Sequence, residues 1–322
     1  MPGSTLTLPV PDDFVLFKAV CSYGYFLLAP NRWDRQTGRF HRVFRAPGRR
    51  GRIIRAAISQ TAQRPDRLRL TCDRKLNADE AAAIKQQTVR MLRIDEDQSA
   101  WYRVHPQARR RRFGRMFRSP DLFEDMVKTI TGCNVTWRNT MTMNQLLVEH
   151  VGAGGWPTPA MIADFGSERL KARCKVGYRA ERIVRLAETF LDGSLDPAWY
   201  EDPARTTDEL FDAVKGLYGF GEYAANNMLQ LLGHYDRLPI DTETYRHFCL
   251  TQRIKRPKDP TRLHKRIRRY YGKYQPFAFK AYWFELWGNY EQRFGPARGW
   301  CPDETGPNFT AATLNHPAAA SV

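Results

Sequence analysis

The sequence predicts an α+β protein, an N-terminal antiparallel β-sheet domain followed by a mostly α-helical body of two subdomains. Two contrasts in the hydrophobic pattern predict it. Within the first hundred residues HRVFRA (41–46), RIIRAAIS (52–59) and RLRLTC (67–72) alternate apolar and basic side chains, the period-2 pattern of half-exposed strands. Beyond residue 119 the apolar positions recur at helical spacing, punctuated by Gly, Pro and capping residues. The chain therefore divides into a sheet domain over 1–105, a helical body over 106–298 and a Pro/Gly/Ala-rich tail over 299–322 that is expected to be disordered.

Within the first domain, FVLFKAVCSYGYFLLA (14–29) is rich in β-formers and aromatics, and NRWDRQTGRF (31–40) places a turn around Thr37-Gly38. NADEAAAIKQQTVRMLRI reads as a helix N-capped by Asn77. In the second domain SPDLFEDMVKTITGC opens with Ser119 as cap, Pro at the first helical position and acids in the first turn. Further helices are expected in WRNTMTMNQLLVEHVG, TPAMIADFG, SERLKARC, RAERIVRLAETFLDG, TTDELFDAVKGLYGFG, EYAANNMLQLLG, TETYRHFCLTQ, PTRLHKRIRRYYGK and QPFAFKAYWFELWGNYEQRFG.

With 322 residues, 42% of them hydrophobic, the chain can bury one or two sizeable cores. No apolar run reaches the roughly 18–20 residues of a membrane helix. MPGSTLTLPVPDDF lacks the charged and apolar regions of a secretion signal, so a cytoplasmic location without a membrane partner is expected. Cys21, Cys72, Cys133, Cys174, Cys249 and Cys301 form no CxxC pattern; they read as free thiols, with neither a zinc ribbon nor an iron–sulfur loop.

Charge is the strongest global signal. Fifty-one Lys+Arg against 34 Asp+Glu give a net +17 and a pI near 9.8, which favours a polyanionic partner. RRGR (49–52), ARRRRFGRMFR (108–118) and RIKRPKDPTRLHKRIRRYYGK (253–273) are interleaved with Phe, Tyr and Met, which points to nucleic acid. No RNP-like aromatic pattern occurs in the first hundred residues, so an RNA-binding sheet is disfavoured.

The densest stretch is KGLYGFGEYAANNMLQLLGHYDRLPIDTETYRHF (215–248). A helix ending at Leu217 or Tyr218 must turn sharply to restart at Glu222. Gly219 and Gly221 permit the backbone angles, and Phe220 between them anchors the turn. The new helix offers unpaired N–H groups and a positive dipole end, which the bare glycines let a phosphate approach. Downstream, Pro239 stiffens the approach to Asp241 at the start of the next helix. That Asp is either an N-cap, contributing about 1 kcal/mol, or an acid aimed at something the hairpin holds; Glu243 is a weaker second candidate.

LYGFGEYAANNMLQLLGHYDRLPID resembles the helix-hairpin-helix and Gly/Pro/Asp loop (HhH-GPD) of the DNA glycosylase superfamily that includes endonuclease III and the adenine, alkylpurine and 8-oxoguanine glycosylases. DLFEDMVKTITGCNVTWRNTMTMNQLLVEHVG resembles its helical segment with a loop that fills the gap left by an extruded base. WPTPAMIADFGSERLKARCKVGYRAERIVRLAETF is similar to the connection that follows. The three motifs stand in order over about residues 112–295, and VCSYGYFLLAPNRWD is more loosely similar to the appended antiparallel domain of the alkylpurine and 8-oxoguanine branches.

The resemblance implies a monomeric, nucleoid-associated enzyme of base excision repair acting on double-stranded DNA with damaged bases. It implies a hairpin, about 208–233, that grips the DNA backbone through Gly219, Phe220, Gly221, Glu222 and Tyr223, with a Na⁺ or K⁺ ion on the carbonyls of Leu217 and Gly219. Asp241 takes the place of the catalytic carboxylate, and Asn134 that of the residue probing the estranged strand. In the bifunctional branches a Lys two residues past the second hairpin glycine attacks the sugar; that position is Tyr223, which forms no Schiff base, and Lys215 precedes the hairpin. A monofunctional glycosylase that leaves the strand uncut is therefore expected. The iron–sulfur cysteines of the endonuclease III branch are missing, so no cluster is expected.

Trp137, Tyr178, Tyr245, Trp283 and Trp287 are candidates to stack on a flipped base, and an electron-rich cage favours a cationic alkylated purine. Aromatics at helical spacing also simply fill cores. Gly24 in SYGYF marks a bend in a strand or a close approach to a base; Arg179 reads as a phosphate contact or a cap. Two alternatives stay open, an 8-oxoguanine-type specificity and a non-enzymatic helix-hairpin-helix DNA-binding protein with Asp241 only a cap. The Pro two residues before an Asp at this distance from GFG favours the enzyme, because a pure binding hairpin does not need that acid.

Overall fold

The alternating segments form strands. In the computed structural model, which describes residues 3–48, 51–255, 257, 259–301 and 304, β1 (Thr5–Pro9), β2 (Asn31–Asp34), β3 (Arg39–Arg45), β4 (Ile53–Thr61) and β5 (Arg64–Cys72) build one sheet ordered β1-β5-β4-β3-β2. Every pairing is antiparallel. Phe40 faces Ile58 and Ile58 faces Leu70, so one face turns Phe40, Phe44, Ile54, Ile58, Leu68 and Leu70 into the core. That face also carries Arg42, only 2% exposed.

The β-rich segment 14–29 forms no strand. Leu16–Val20 is a turn of α-helix and Gly24–Leu27 a 3₁₀ turn. Most side chains from Phe14 to Leu28 are buried, and a largely apolar run of this kind has no period by which strand and helix differ. The strand that completes the sheet lies upstream, at Thr5–Pro9. Asn77 caps Ala78–Leu92 in a reciprocal capping box with Glu80. Ser119 does not cap the next long helix; Asp121 does, accepting the Glu124 N–H ahead of Leu122–Gly132. The other expected helices form, ending with Ala278–Phe294. None of the described helices is long and apolar enough to cross a membrane.

Part of the arginine run 108–118 turns inward. Arg115 donates to the Glu96 carbonyl at 2.8 Å, and Arg118 to the Leu231 carbonyl at 2.9 Å. Arg93 adds bonds of 2.7 and 2.8 Å to the Gln230 and Leu231 carbonyls, so two guanidinium groups close the C-terminal end of Glu222–Leu232. These cations hold the sheet domain to the helices rather than presenting a basic surface. The clusters at 49–52 and 253–273 lie partly outside the described residues.

One hydrophobic core runs from the sheet face to the last helix and beyond it. Trp300, 1% exposed, sets its ring 4.8 Å from that of Trp287 and donates its indole N–H to the Gly295 carbonyl at 2.9 Å. The Trp33 indole reaches back to the Arg298 carbonyl at 2.7 Å. The packed chain thus continues past the boundary expected at 298, and residues 305–322 lie outside the described ones. Trp300→Phe, which removes the donor and leaves a small void, is expected to lower stability by about 1–2 kcal/mol. An unchanged midpoint in urea denaturation would contradict the docking of this segment.

Candidate active site

The first hairpin helix, Thr207–Gly216, starts from a capping box between Thr206 and Glu209. Gly219 takes φ +89°, a conformation that disfavours any other residue, and Phe220 is buried beneath the turn. Gly221 begins Glu222–Leu232 with no side-chain cap, so the first backbone N–H groups of that helix are not closed off by the protein's own side chains. Ala224 and Ala225, both buried, allow the two helices to lie close.

Asp241 is the N-cap of Thr242–Thr251. Its Oδ1 accepts the Thr244 N–H at 2.8 Å and the Thr244 hydroxyl at 2.9 Å, and the Glu243 backbone N–H also lies close enough to favour the charged carboxylate. Burial raises the carboxyl above its ordinary value of 3.8, and the Thr244 bonds partly offset that rise.

Asp241 lines a cavity of about 440 Å³. Tyr23, Gly24 and Tyr25 enter it from the 3₁₀ turn, Thr129 and Trp137 from the helices flanking the Asn134 loop, Tyr223 and Asn227 from the second hairpin helix, and Trp283 and Trp287 from the last helix. The Trp283 ring stacks at 5.6 Å on Trp287 and lies 4.8 Å from Tyr23, its N–H held by the Ser22 carbonyl at 2.8 Å. The Tyr23 hydroxyl donates to Asn227 Oδ1 at 2.8 Å, and Asn227 Nδ2 donates to Thr129 Oγ1 at 3.1 Å. Thr129 Oγ1 is also 3.0 Å from the Tyr25 hydroxyl. This network fastens the sheet domain's aromatic turn to the hairpin.

Of the expected pocket aromatics, Trp137, Trp283 and Trp287 line the cavity, and two do not. Tyr178 is 53% exposed on the surface, where the Arg179 and Arg182 guanidinium groups lie 4.6 and 4.8 Å from its ring centre. Tyr245 is buried beside His264, bonded to it through the hydroxyl, on a different face of its helix. Gly24 is a packing glycine: a Cβ there would sit 3.1 Å from the Trp137 ring. Glu243 does reach the cavity, but its carboxylate accepts from Arg246 Nε at 2.8 Å and the Tyr290 hydroxyl at 2.7 Å.

Asn134 stands exposed at φ +51° in the loop between Leu122–Gly132 and Trp137–His150. Arg179 neither caps a helix nor faces solvent; its buried guanidinium donates to the Cys133 and Asn134 carbonyls at 2.5 and 3.2 Å and fixes that loop. Tyr223 borders the cavity with its hydroxyl pushed well above its ordinary value by burial and by the Asp241 charge, so it stays a neutral phenol. Both hairpin carbonyls expected to hold a cation already accept a hydrogen bond. The Leu217 oxygen accepts the Phe220 N–H at 3.1 Å, and the Gly219 oxygen takes the Arg182 guanidinium at 3.3 Å.

Tyr23, Tyr25, Thr129 and Asn227 were not legible as site residues. The one available signal was the aromatic pair bracketing Gly24 and a polar Asn on the apolar side of the second hairpin helix.

No protein-family model matches this sequence, and no curated protein does. Solved structures match it in fold. The 3-methyladenine DNA glycosylase from Archaeoglobus fulgidus superposes with a TM-score of 0.67 at 17% identity over 90% of this chain and 100% of that one. MBOgg1 in complex with a low-affinity DNA ligand gives 0.63 at 17% identity over 90% and 97%. The Clostridium acetobutylicum 8-oxoguanine glycosylase/lyase in its apo form gives 0.62 at 16% identity over 88% and 96%. The chain has the fold of these proteins, sheet domain included.

Proposed function

We propose that this chain is a monofunctional DNA glycosylase of base excision repair that hydrolyses the N-glycosidic bond of a damaged, most suitably alkylated, purine swung out of the duplex. The observation that carries this reading is the buried Asp241 carboxylate, fixed by Thr244 on the wall of an aromatic cavity that Tyr223, from the first turn of the uncapped hairpin helix, also lines. As the base departs, positive charge builds on the deoxyribose; a fixed carboxylate stabilises it and orients the attacking water. The hairpin N–H groups receive a backbone phosphate, and Asn134, held by Arg179, fills the vacated stack. Extrusion costs a few kcal/mol, which these contacts offset.

Substrate preference follows from the walls. Trp137, Trp283 and Trp287 make the wall electron-rich and aromatic, an environment that favours a cationic base. Lys128, on the wall, is paired at 2.6 Å with Glu124, which draws its charge away from the cavity. The fold shared with a 3-methyladenine glycosylase supports the class of reaction.

Duplexes carrying 3-methyladenine, 7-methylguanine, 8-oxoguanine, hypoxanthine or uracil test this, with products resolved before and after alkali. Release of an alkylated base is expected, with strand breaks appearing only after alkali and no adduct trapped by borohydride. A trapped adduct would show that a lysine, Lys128 being the one in the cavity wall, reaches the sugar. Release of 8-oxoguanine alone would move the specificity to the oxidised-purine class.

A further inference from the structure

The Arg182 side chain lies across the hairpin turn. Its methylenes fill the space that Gly219 leaves empty, so that any side chain added at Gly219 would collide with them. Its Nη1 donates to the Gly219 carbonyl at 3.3 Å, and the face of Tyr178 supports its guanidinium at 4.8 Å. Arg185, one turn further along the same helix, lies 4.2 Å from the ring centre of Tyr218 in the hairpin itself. A fixed positive charge therefore already sits on the carbonyl where the resemblance implied an exchangeable ion. A second cation on that oxygen would face the guanidinium at close range, an unfavourable like-charge contact.

We propose that Arg182 takes the place of the monovalent cation at the Gly219 carbonyl, so that the hairpin carries a charge of its own that does not dissociate and binds duplex DNA without regard to which monovalent cation is present. This also gives Gly219 a second reason to lack a side chain: beyond its positive φ, it makes room for the arginine. The inference rests on the reading of the chain as a DNA-binding glycosylase. Its test separates the two.

The dissociation constant for a duplex with a tetrahydrofuran abasic site is measured for wild type and Arg182→Ala. Sodium, potassium and tetramethylammonium chloride are compared at equal ionic strength, since overall salt alone shifts affinity. Wild type is expected to bind within twofold in all three salts. Arg182→Ala, folded by circular dichroism, is expected to bind about tenfold more weakly in tetramethylammonium, having lost a charge-assisted contact. Potassium or sodium should restore part of that loss by occupying the vacated carbonyl. Wild-type binding that weakens severalfold in tetramethylammonium alone would overturn the proposal, because an exchangeable cation would then be present. An Arg182→Ala variant that binds as wild type does in every salt would overturn it too. Failure of wild type to bind the duplex in any of them would instead remove the DNA reading on which it rests.

Discussion

Asp241→Asn is expected to abolish base release while leaving the protein folded and able to bind DNA. Asparagine caps a helix about as well as aspartate, and its side-chain oxygen can still accept the Thr244 N–H that Asp241 takes at 2.8 Å. What is lost is the negative charge that the carboxylate holds on the cavity wall. Removing one preorganised electrostatic partner of a transition state costs about 100- to 1000-fold in rate. Single-turnover release should fall by that factor, with affinity for an abasic duplex and the thermal midpoint nearly unchanged. Because burial raises the Asp241 carboxyl, the acid limb of the wild-type pH–rate profile should lie above the ordinary value of 3.8. An Asn variant keeping more than about a tenth of the rate would demote Asp241 to a cap and favour the binding-protein alternative.

How far the sequence could be read depends on the range of the interaction concerned. The hairpin was legible because Gly219 and Gly221 answer a local backbone demand, and the chain turns where they stand. Asp241 was legible for the same reason, standing between a rigid Pro and a helix. The cavity wall was not. Tyr23, Thr129 and Asn227 come from three distant stretches, and nothing local distinguishes Trp283, expected in the pocket and found on the cavity wall, from Tyr245, equally expected there but packed on His264. Arg42 shows the same limit in the sheet. Its segment was read correctly as strand, and period 2 sets Arg42 between Phe40 and Phe44 on the apolar face, but the partner that lets a charge be buried there, Glu124, is distant in sequence. Likewise nothing in the run 108–118 separates Arg115 and Arg118, which close on backbone carbonyls, from Arg109, Arg110, Arg111 and Arg112, which stay exposed.

The reason Arg42 can be buried leads to the largest expected loss of stability, that of Glu124→Gln. Glu124 is fully buried and is the shared anion of two buried cations. Arg42 reaches it from β3 at 2.9 Å, and Lys128 from its own helix at 2.6 Å. Asn31 supports the guanidinium at 2.7 Å. Burial alone would raise the Glu124 carboxyl, but the charges of Arg42 and Lys128 outweigh it and hold the group below its ordinary 4.5. Glutamine keeps the shape and removes the charge, leaving two unmatched cations in the core, for which about 3–5 kcal/mol is expected from urea denaturation at neutral pH. The sign of the pH dependence follows. A depressed carboxyl contributes stability above about pH 4.5 that is lost as pH falls through the folded value, so wild type and variant should converge in acid. Replacing Arg42, Glu124 and Lys128 together by Met, Leu and Met should recover most of the loss, since a buried triad exchanged for apolar side chains is often neutral or stabilising. A Glu124→Gln variant within about 1 kcal/mol of wild type would mean that water or a shifted lysine proton relieves the cations. The helix that carries Glu124 also carries Thr129 into the cavity and leads into the Asn134 loop, so this triad joins the Tyr23–Asn227–Thr129 network in tying the sheet domain to the site.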